Sequence, residues 1–140
     1  AAMIAGSSEK VSDALWGYGM ELGRAFQLVD DILDLAGGDL IGKPRGTDVH
    51  EGKMTLPIIY GLTMLHGTNR DQLKDVLTNF GDDRLQELVE LLEKAGSFEY
   101  AKLLVSNHVE RALDHIEVLP DSEEKEMLTE IALISESRTN

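Results

Sequence analysis

The 140 residues predict an all-α protein, a helical bundle, on three observations. Apolar residues recur at three- and four-residue spacing through most of the chain, the spacing that gives a helix one buried face. The three prolines are scattered rather than clustered. No segment alternates apolar and polar residues as a half-buried strand would. With 42% hydrophobic content the chain is long enough for one domain with a core and too short for two, so residues 1–140 read as a single helical unit.

The opening Ala1-Ala2-Met3-Ile4-Ala5-Gly6 reads as the end of an apolar helix, which suggests further sequence upstream. Ser8 is placed to cap a long helix from about Glu9 to Leu35, its hydroxyl accepting from a free first-turn amide. The Gly37-Gly38 pair stops it. From Gly38 to Lys53 the periodicity vanishes and Gly, Pro, Lys and Asp dominate, and a loop of that length inside a compact domain is usually functional or disordered. Thr55-Leu56-Pro57 marks the next helix start, with Ile58, Ile59, Leu62 and Leu65 as its buried side and Gly67-Thr68-Asn69 as its end. Further helices are expected from about Arg70 to Asn79, Asp83 to Ala95, Phe98 to Val118 and Ser122 to Glu136. Asp121 and Glu124 have the spacing of a capping box for the last.

The 26 acidic residues against 13 basic ones give a formal net charge of −13, which opposes binding to nucleic acid and to anionic membrane surfaces. Absence of cysteine excludes disulfides, thiol catalysis and Cys-based zinc sites, and accords with a reducing cytoplasm. No apolar run reaches the roughly 18 residues of a transmembrane helix, and there is no charged-then-apolar signal peptide. A soluble, cytoplasmic protein without membrane insertion is the expectation.

Chemistry concentrates on the first long helix. At about 100° per residue, Leu22, Ala25, Phe26, Val29 and Leu33 fall on one arc and form a buried stripe. Gln27, Asp30 and Asp34 flank that stripe, with Asp31 just beyond. Three carboxylates so close raise one another's pKa values unless a cation joins them. Mg²⁺ does this well, because it takes carboxylate oxygens, keeps several waters and bridges carboxylates to substrate phosphates. A solvated acidic helix face fits Asp-Asp-x-x-Asp equally well by itself.

The loop that follows adds Lys43 and Lys53, each preceded by glycine, and positive charge on such a segment suits gripping a phosphate that a metal holds from its other side. Ordinary exposed lysines remain the alternative. Gly37 to Lys43 fits part of a P-loop, but Pro44 stands where a Ser or Thr would bind Mg²⁺, and the segment follows a helix, not a strand. An EF-hand is excluded because Leu35, Gly37 and Gly38 do not supply alternating oxygen ligands.

Three segments together resemble the trans-isoprenyl diphosphate synthases, the polyprenyl synthetase family. They are Gly23-Arg24-Ala25-Phe26-Gln27-Leu28-Val29-Asp30-Asp31-Ile32-Leu33-Asp34, then Gly42-Lys43-Pro44-Arg45-Gly46-Thr47-Asp48, then Glu51-Gly52-Lys53-Met54-Thr55-Leu56-Pro57. Phe98-Glu99-Tyr100-Ala101 and the stretch from Ala112-Leu113 to Leu119-Pro120 resemble that family's C-terminal helices. The resemblance implies the C-terminal part of the isoprenoid synthase fold, with Asp30, Asp31 and Asp34 as the second aspartate-rich motif. Asp30 would be a direct Mg²⁺ ligand, the other two acting partly through water. Lys43 and Lys53 would contact the allylic diphosphate, Gln27 would lie near the reacting carbon, and Phe26 would wall the apolar pocket or simply pack. Gln27, Asp30 and Lys43 are thus the expected catalytic residues.

The implied reaction condenses an allylic diphosphate with isopentenyl diphosphate to make a longer polyprenyl diphosphate, and the implied assembly is a homodimer. The family's first aspartate-rich motif, its isopentenyl diphosphate-binding basic residues and the Lys-Thr pair expected just before Ala1 are absent. The chain alone is therefore expected to be inactive, as an incomplete prenyltransferase. The alternative is a noncatalytic small subunit of a heteromeric synthase.

Overall fold

The computed structural model describes residues 8–37 and 45–139. The opening Ala1 to Gly6, Gly38 and Lys43 lie outside the described residues. Among the described residues the fold is all-α, without a strand. The helices are α1 (Glu9–Ala36), α2 (Thr47–His50), α3 (Leu56–Met64), α4 (Gly67–Thr78), α5 (Leu85–Ala95), α6 (Ser97–Ile116) and α7 (Glu123–Ser137), with a short 3-10 turn at Asp82–Arg84 before α5.

The helix ends follow local chemistry. Ser8 Oγ accepts from the Val11 N–H at 3.3 Å, the cap expected of it. Thr55 precedes α3, and Pro57 sits in its first turn, where a missing N–H costs nothing. Two expectations are corrected. The α7 cap is Ser122, whose hydroxyl accepts from Lys125 N–H at 3.1 Å, and no box forms from Asp121. Gly67 opens α4 instead of closing α3. The corner falls earlier because Leu65 is already extended, while the Leu65 N–H on the Gly61 carbonyl (2.9 Å) and Arg70 Nε on the Leu62 carbonyl (2.9 Å) satisfy the end of α3.

By its contacts the described chain divides into two units, residues 8–29 with 104–138 and residues 30–103. The core of the first holds Ala14, Tyr18, Leu22, Ala25 and Val29 of α1, Val105, Val109, Ala112 and Ile116 of α6, and Ala132 of α7. The α1 stripe runs 18, 22, 25, 29, a strict alternation of three- and four-residue steps. Phe26, one residue off that line, is 39% exposed, and Leu33 is only half-buried, which corrects their assignment to the buried arc. Polar groups are paired within this core. Tyr18 donates its hydroxyl to the Leu128 carbonyl at 2.7 Å. Glu21 and His108 meet at 2.6 Å, both side chains largely buried. That hydrogen bond, helped by the nearby Arg24 and Arg111, holds the Glu21 carboxyl below its usual range.

In the second unit α3, α4 and α5 pack on one another around Ile58, Leu73, Val76, Leu88 and Leu92. The buried side of α3 is Pro57, Ile58 and Gly61, with Leu65 just past its end, whereas Ile59 faces out and Leu62 is half-buried. At Gly61 the helices approach so closely that a Cβ would lie 2.6 Å from Leu92 Cδ2 and 3.2 Å from Leu73 Cδ2.

Gly61→Ala is therefore expected to destabilise the fold by about 1–2 kcal/mol, overpacking outweighing the gain in helix propensity. Denaturant unfolding checks it, and a variant as stable as the parent would mean that the two leucines yield freely. For Glu21, a folded pKa below the ordinary 4.5 means that its contribution is fully present above that value and is lost as pH falls through the lowered one. Thermal melts of the parent and Glu21→Gln should thus differ at neutral pH and converge as the pH is taken below the ordinary carboxylate range. A gap independent of pH would show that His108 does not hold Glu21 ionised.

Candidate functional site

The last two turns of α1 carry the acidic cluster, and they divide it. Gln27 and Asp30 are exposed, whereas Asp31 is 8% and Asp34 2% exposed. The sequence-based grouping of Gln27, Asp30 and Asp34, with Asp31 beyond, is therefore corrected: Asp31 and Asp34 go in together. Ile32 and Leu35 are buried as well, and the chain returning at Arg45 meets the helix at the Leu35 carbonyl.

Three residues of the returning chain, Arg45, Gly46 and Asp48, stitch it to α1. The Arg45 guanidinium donates to the Leu35 carbonyl through Nε at 3.0 Å and also through a terminal nitrogen, putting a cation on the negative end of the helix. The Gly46 N–H reaches the Asp34 carbonyl at 2.7 Å. The Asp48 N–H is shared by the Asp34 carboxylate oxygens at 3.3 and 3.4 Å, long contacts that nonetheless give a buried carboxylate a donor. Gly46 has φ 79°, and a Cβ there would stand 3.3 Å from Phe80 Cζ, so the stitch needs glycine on two counts.

The next turn delivers Lys53. What sequence reasoning treated as an aperiodic loop contains the single turn α2, closed by Glu51 N–H on the Thr47 carbonyl (3.0 Å) and Lys53 N–H on the Asp48 carbonyl (2.9 Å). Lys53 Nζ lies 3.2 Å from Glu51 Oε2 and 3.5 Å from Asp48 Oδ1, with its side chain 61% exposed. The bond to Glu51 first, then the charges of Glu51 and Asp48, raise its pKa and keep it an ammonium. His50 braces the turn, with Nε2 2.7 Å from Asp82 Oδ1 and its ring edge-on to Phe80.

Of the expected site residues, the structure therefore links Asp34 to Lys53 through Asp48, with Asp31 buried and Asp30 outward on the same helix end. Gln27 lies one turn earlier on α1, and Lys43 is outside the described residues. Sequence reasoning assigned no role to Arg45 or Asp48. The only hint was their place in the Gly-rich segment between two expected site residues. Among the described residues no three acidic or histidine side chains gather in a metal-holding group. Asp30 presents the outward carboxylate of the cluster, and a hard cation that keeps most of its waters fits such a donor set.

Elsewhere, a depression of about 460 Å³ at the start of α7 is lined by Asp121, Ser122, Lys125, Glu126, Thr129 and Glu130. Its one cation, Lys125, is engaged by the Leu119 carbonyl at 3.0 Å, so it offers no comparable site. No helix among the described residues is long and apolar enough to cross a membrane.

Known proteins resemble this chain in sequence and in fold. The chain is 38% identical over 133 residues to the short chain isoprenyl diphosphate synthase of Methanothermobacter thermautotrophicus, covering 94% of this chain and 41% of that one. It is 35% identical over 140 residues to the octaprenyl diphosphate synthase of Haemophilus influenzae, covering 99% and 43%. A crystal structure of geranylgeranyl pyrophosphate synthase from Corynebacterium glutamicum, complexed with isoprenyl diphosphate and magnesium, superposes with a TM-score of 0.88 at 29% identity, over 98% of this chain and 40% of that one. The chain thus spans about two-fifths of the length of these relatives. The sequence pattern that defines the polyprenyl synthetase family matches residues 1–93, two-thirds of the chain and all of the stitched helix end with its lysine turn, and the chain belongs to that family.

Proposed function

We propose that this chain is the portion of a trans-prenyltransferase that carries the second aspartate cluster, acting on an allylic diphosphate and isopentenyl diphosphate in isoprenoid biosynthesis. The observation that carries the reading is the joint through Asp48, which ties the acidic end of α1 to an ammonium five residues on. A polyanionic substrate held by a cation on a carboxylate cluster needs both signs of charge side by side.

Asp30 would hold Mg²⁺ directly, with Asp31 and Asp34 supporting through water and through the backbone. The metal, when bound, would supply charge neutralisation at the departing diphosphate. Lys53, and Lys43 with it, would take phosphate oxygens, stabilising the negative charge that builds as the allylic C–O bond breaks. Gln27 would face the allylic group one turn along the helix. The isopentenyl double bond then attacks the allylic carbon, and proton loss completes a chain longer by one isoprene unit. The carboxylates and lysines here make one side of such a site, so the chain alone would yield no product. Exposed Trp16, Leu103, Met127 and Ile134 fit a unit that buries more surface in a larger assembly, as a homodimer would require.

Asp30→Ala in the complete enzyme should lower turnover roughly a hundredfold or more while changing stability little, since the side chain is exposed. Turnover within a few fold of the parent at saturating Mg²⁺ would remove Asp30 from the site. Lys43→Ala and Lys53→Ala should each weaken binding of a nonreactive allylic diphosphate analogue, measured by calorimetry. Unchanged affinity in both would return them to ordinary surface charge.

A further inference from the structure

Lys53 is a long, exposed side chain, yet it does not hang free. Asp48 touches it twice, once through its own carbonyl, which accepts the Lys53 N–H at 2.9 Å, and once through its carboxylate, 3.5 Å from Nζ. Asp48 is itself fixed. Its side chain is only 12% exposed, its N–H sits on the Asp34 carboxylate, and it belongs to the turn that Gly46 and His50 brace. Glu51 contacts the same ammonium at 3.2 Å, but from an exposed side chain. An incoming phosphate can displace Glu51 into water. Asp48, whose side chain is nearly enclosed and whose backbone is anchored on Asp34, has less room to move aside.

From this geometry we infer that Asp48 is a positioning residue, holding the Lys53 ammonium in register with the carboxylate cluster of α1 so that both meet one diphosphate. The inference rests on the proposed function. Its physical basis is preorganisation: a lysine already held loses less freedom when it binds, and the outer partner of a binding group sets its direction. The sign of the effect distinguishes this role from simple electrostatics. A carboxylate that acted only as nearby negative charge would repel a diphosphate, and neutralising it would tighten binding. A carboxylate that positions the lysine does the opposite.

The test is a double-mutant cycle in the complete enzyme with Mg²⁺, reading the affinity for an allylic thiolodiphosphate, which binds without ionising. Asp48→Asn keeps the backbone bond to Asp34 and removes only the charge. It should weaken binding by roughly three- to tenfold when Lys53 is present and not at all in the Lys53→Ala background. Asp48→Glu, which keeps the charge, should retain most of the affinity, and Glu51→Gln should lose none. Equal losses from Asp48→Asn in both backgrounds would make Asp48 a structural residue and overturn the inference, as would tighter binding with Lys53 present or an equal loss in Glu51→Gln. A parent enzyme that fails to bind the analogue with Mg²⁺ would instead overturn the proposed function itself.

Discussion

The buried carboxylate of Asp34 is the constraint around which the second unit's site is arranged. A carboxyl group at 2% exposure is costly unless hydrogen-bond partners reach it, and the last turn of a helix also leaves carbonyls without intrahelical partners. Both demands fall at one place. The chain returning after α1 meets them with three residues inside four positions, the Arg45 side chain and the Gly46 and Asp48 amides. Because those residues lie so close together in sequence, satisfying the helix end also constrains the path of the backbone leading to Lys53. A local electrostatic requirement thereby becomes a geometric one for a residue nineteen positions after Asp34.

The same requirement explains why three aspartates of one motif do different work. Asp30 is exposed and open to a cation, whereas Asp31 and Asp34 are enclosed, Asp34 by the returning chain. In a protein with a net charge of −13, one more acidic face would be unremarkable. What sets this one apart is that Asp34 holds the turn whose Asp48 carries the Lys53 ammonium.

Much of this was legible in the residues themselves, and the limits were physical. Three- and four-residue apolar spacing announces helices wherever they are long, so α1, α5, α6 and α7 were found within a few residues of their ends. Ser8 and Thr55-Leu56-Pro57 were readable because helix starts depend on side chains of fixed chemistry. The corner at Leu65 was not, because it depends on Arg70 reaching back to the Leu62 carbonyl, a contact that only the fold creates. Phe26 and Ile59 were misplaced for a related reason: an apolar residue one step off the buried stripe is indistinguishable by composition from one on it. The burial of Asp34 could not be foreseen from α1 alone. A helical wheel places a residue relative to its own helix, and what encloses Asp34 is a backbone segment arriving from beyond the helix end.

Read as a list of metal ligands, Asp-Asp-x-x-Asp needs all three carboxylates turned to one cation, and the described structure does not gather them so. Read as a helix end with one outward and two inward carboxylates, the motif and the Gly-rich segment after it are a single device, each needing the other. Gly46 illustrates the dependence: its left-handed backbone and its closeness to Phe80 serve to aim the Asp48 N–H at Asp34. The spacing within the motif then matters through where the helix ends. The i, i+4 separation puts Asp30 and Asp34 on the same side of α1, so what distinguishes them is the returning chain, which meets Asp34 two residues before the helix end and leaves Asp30, one turn earlier, exposed.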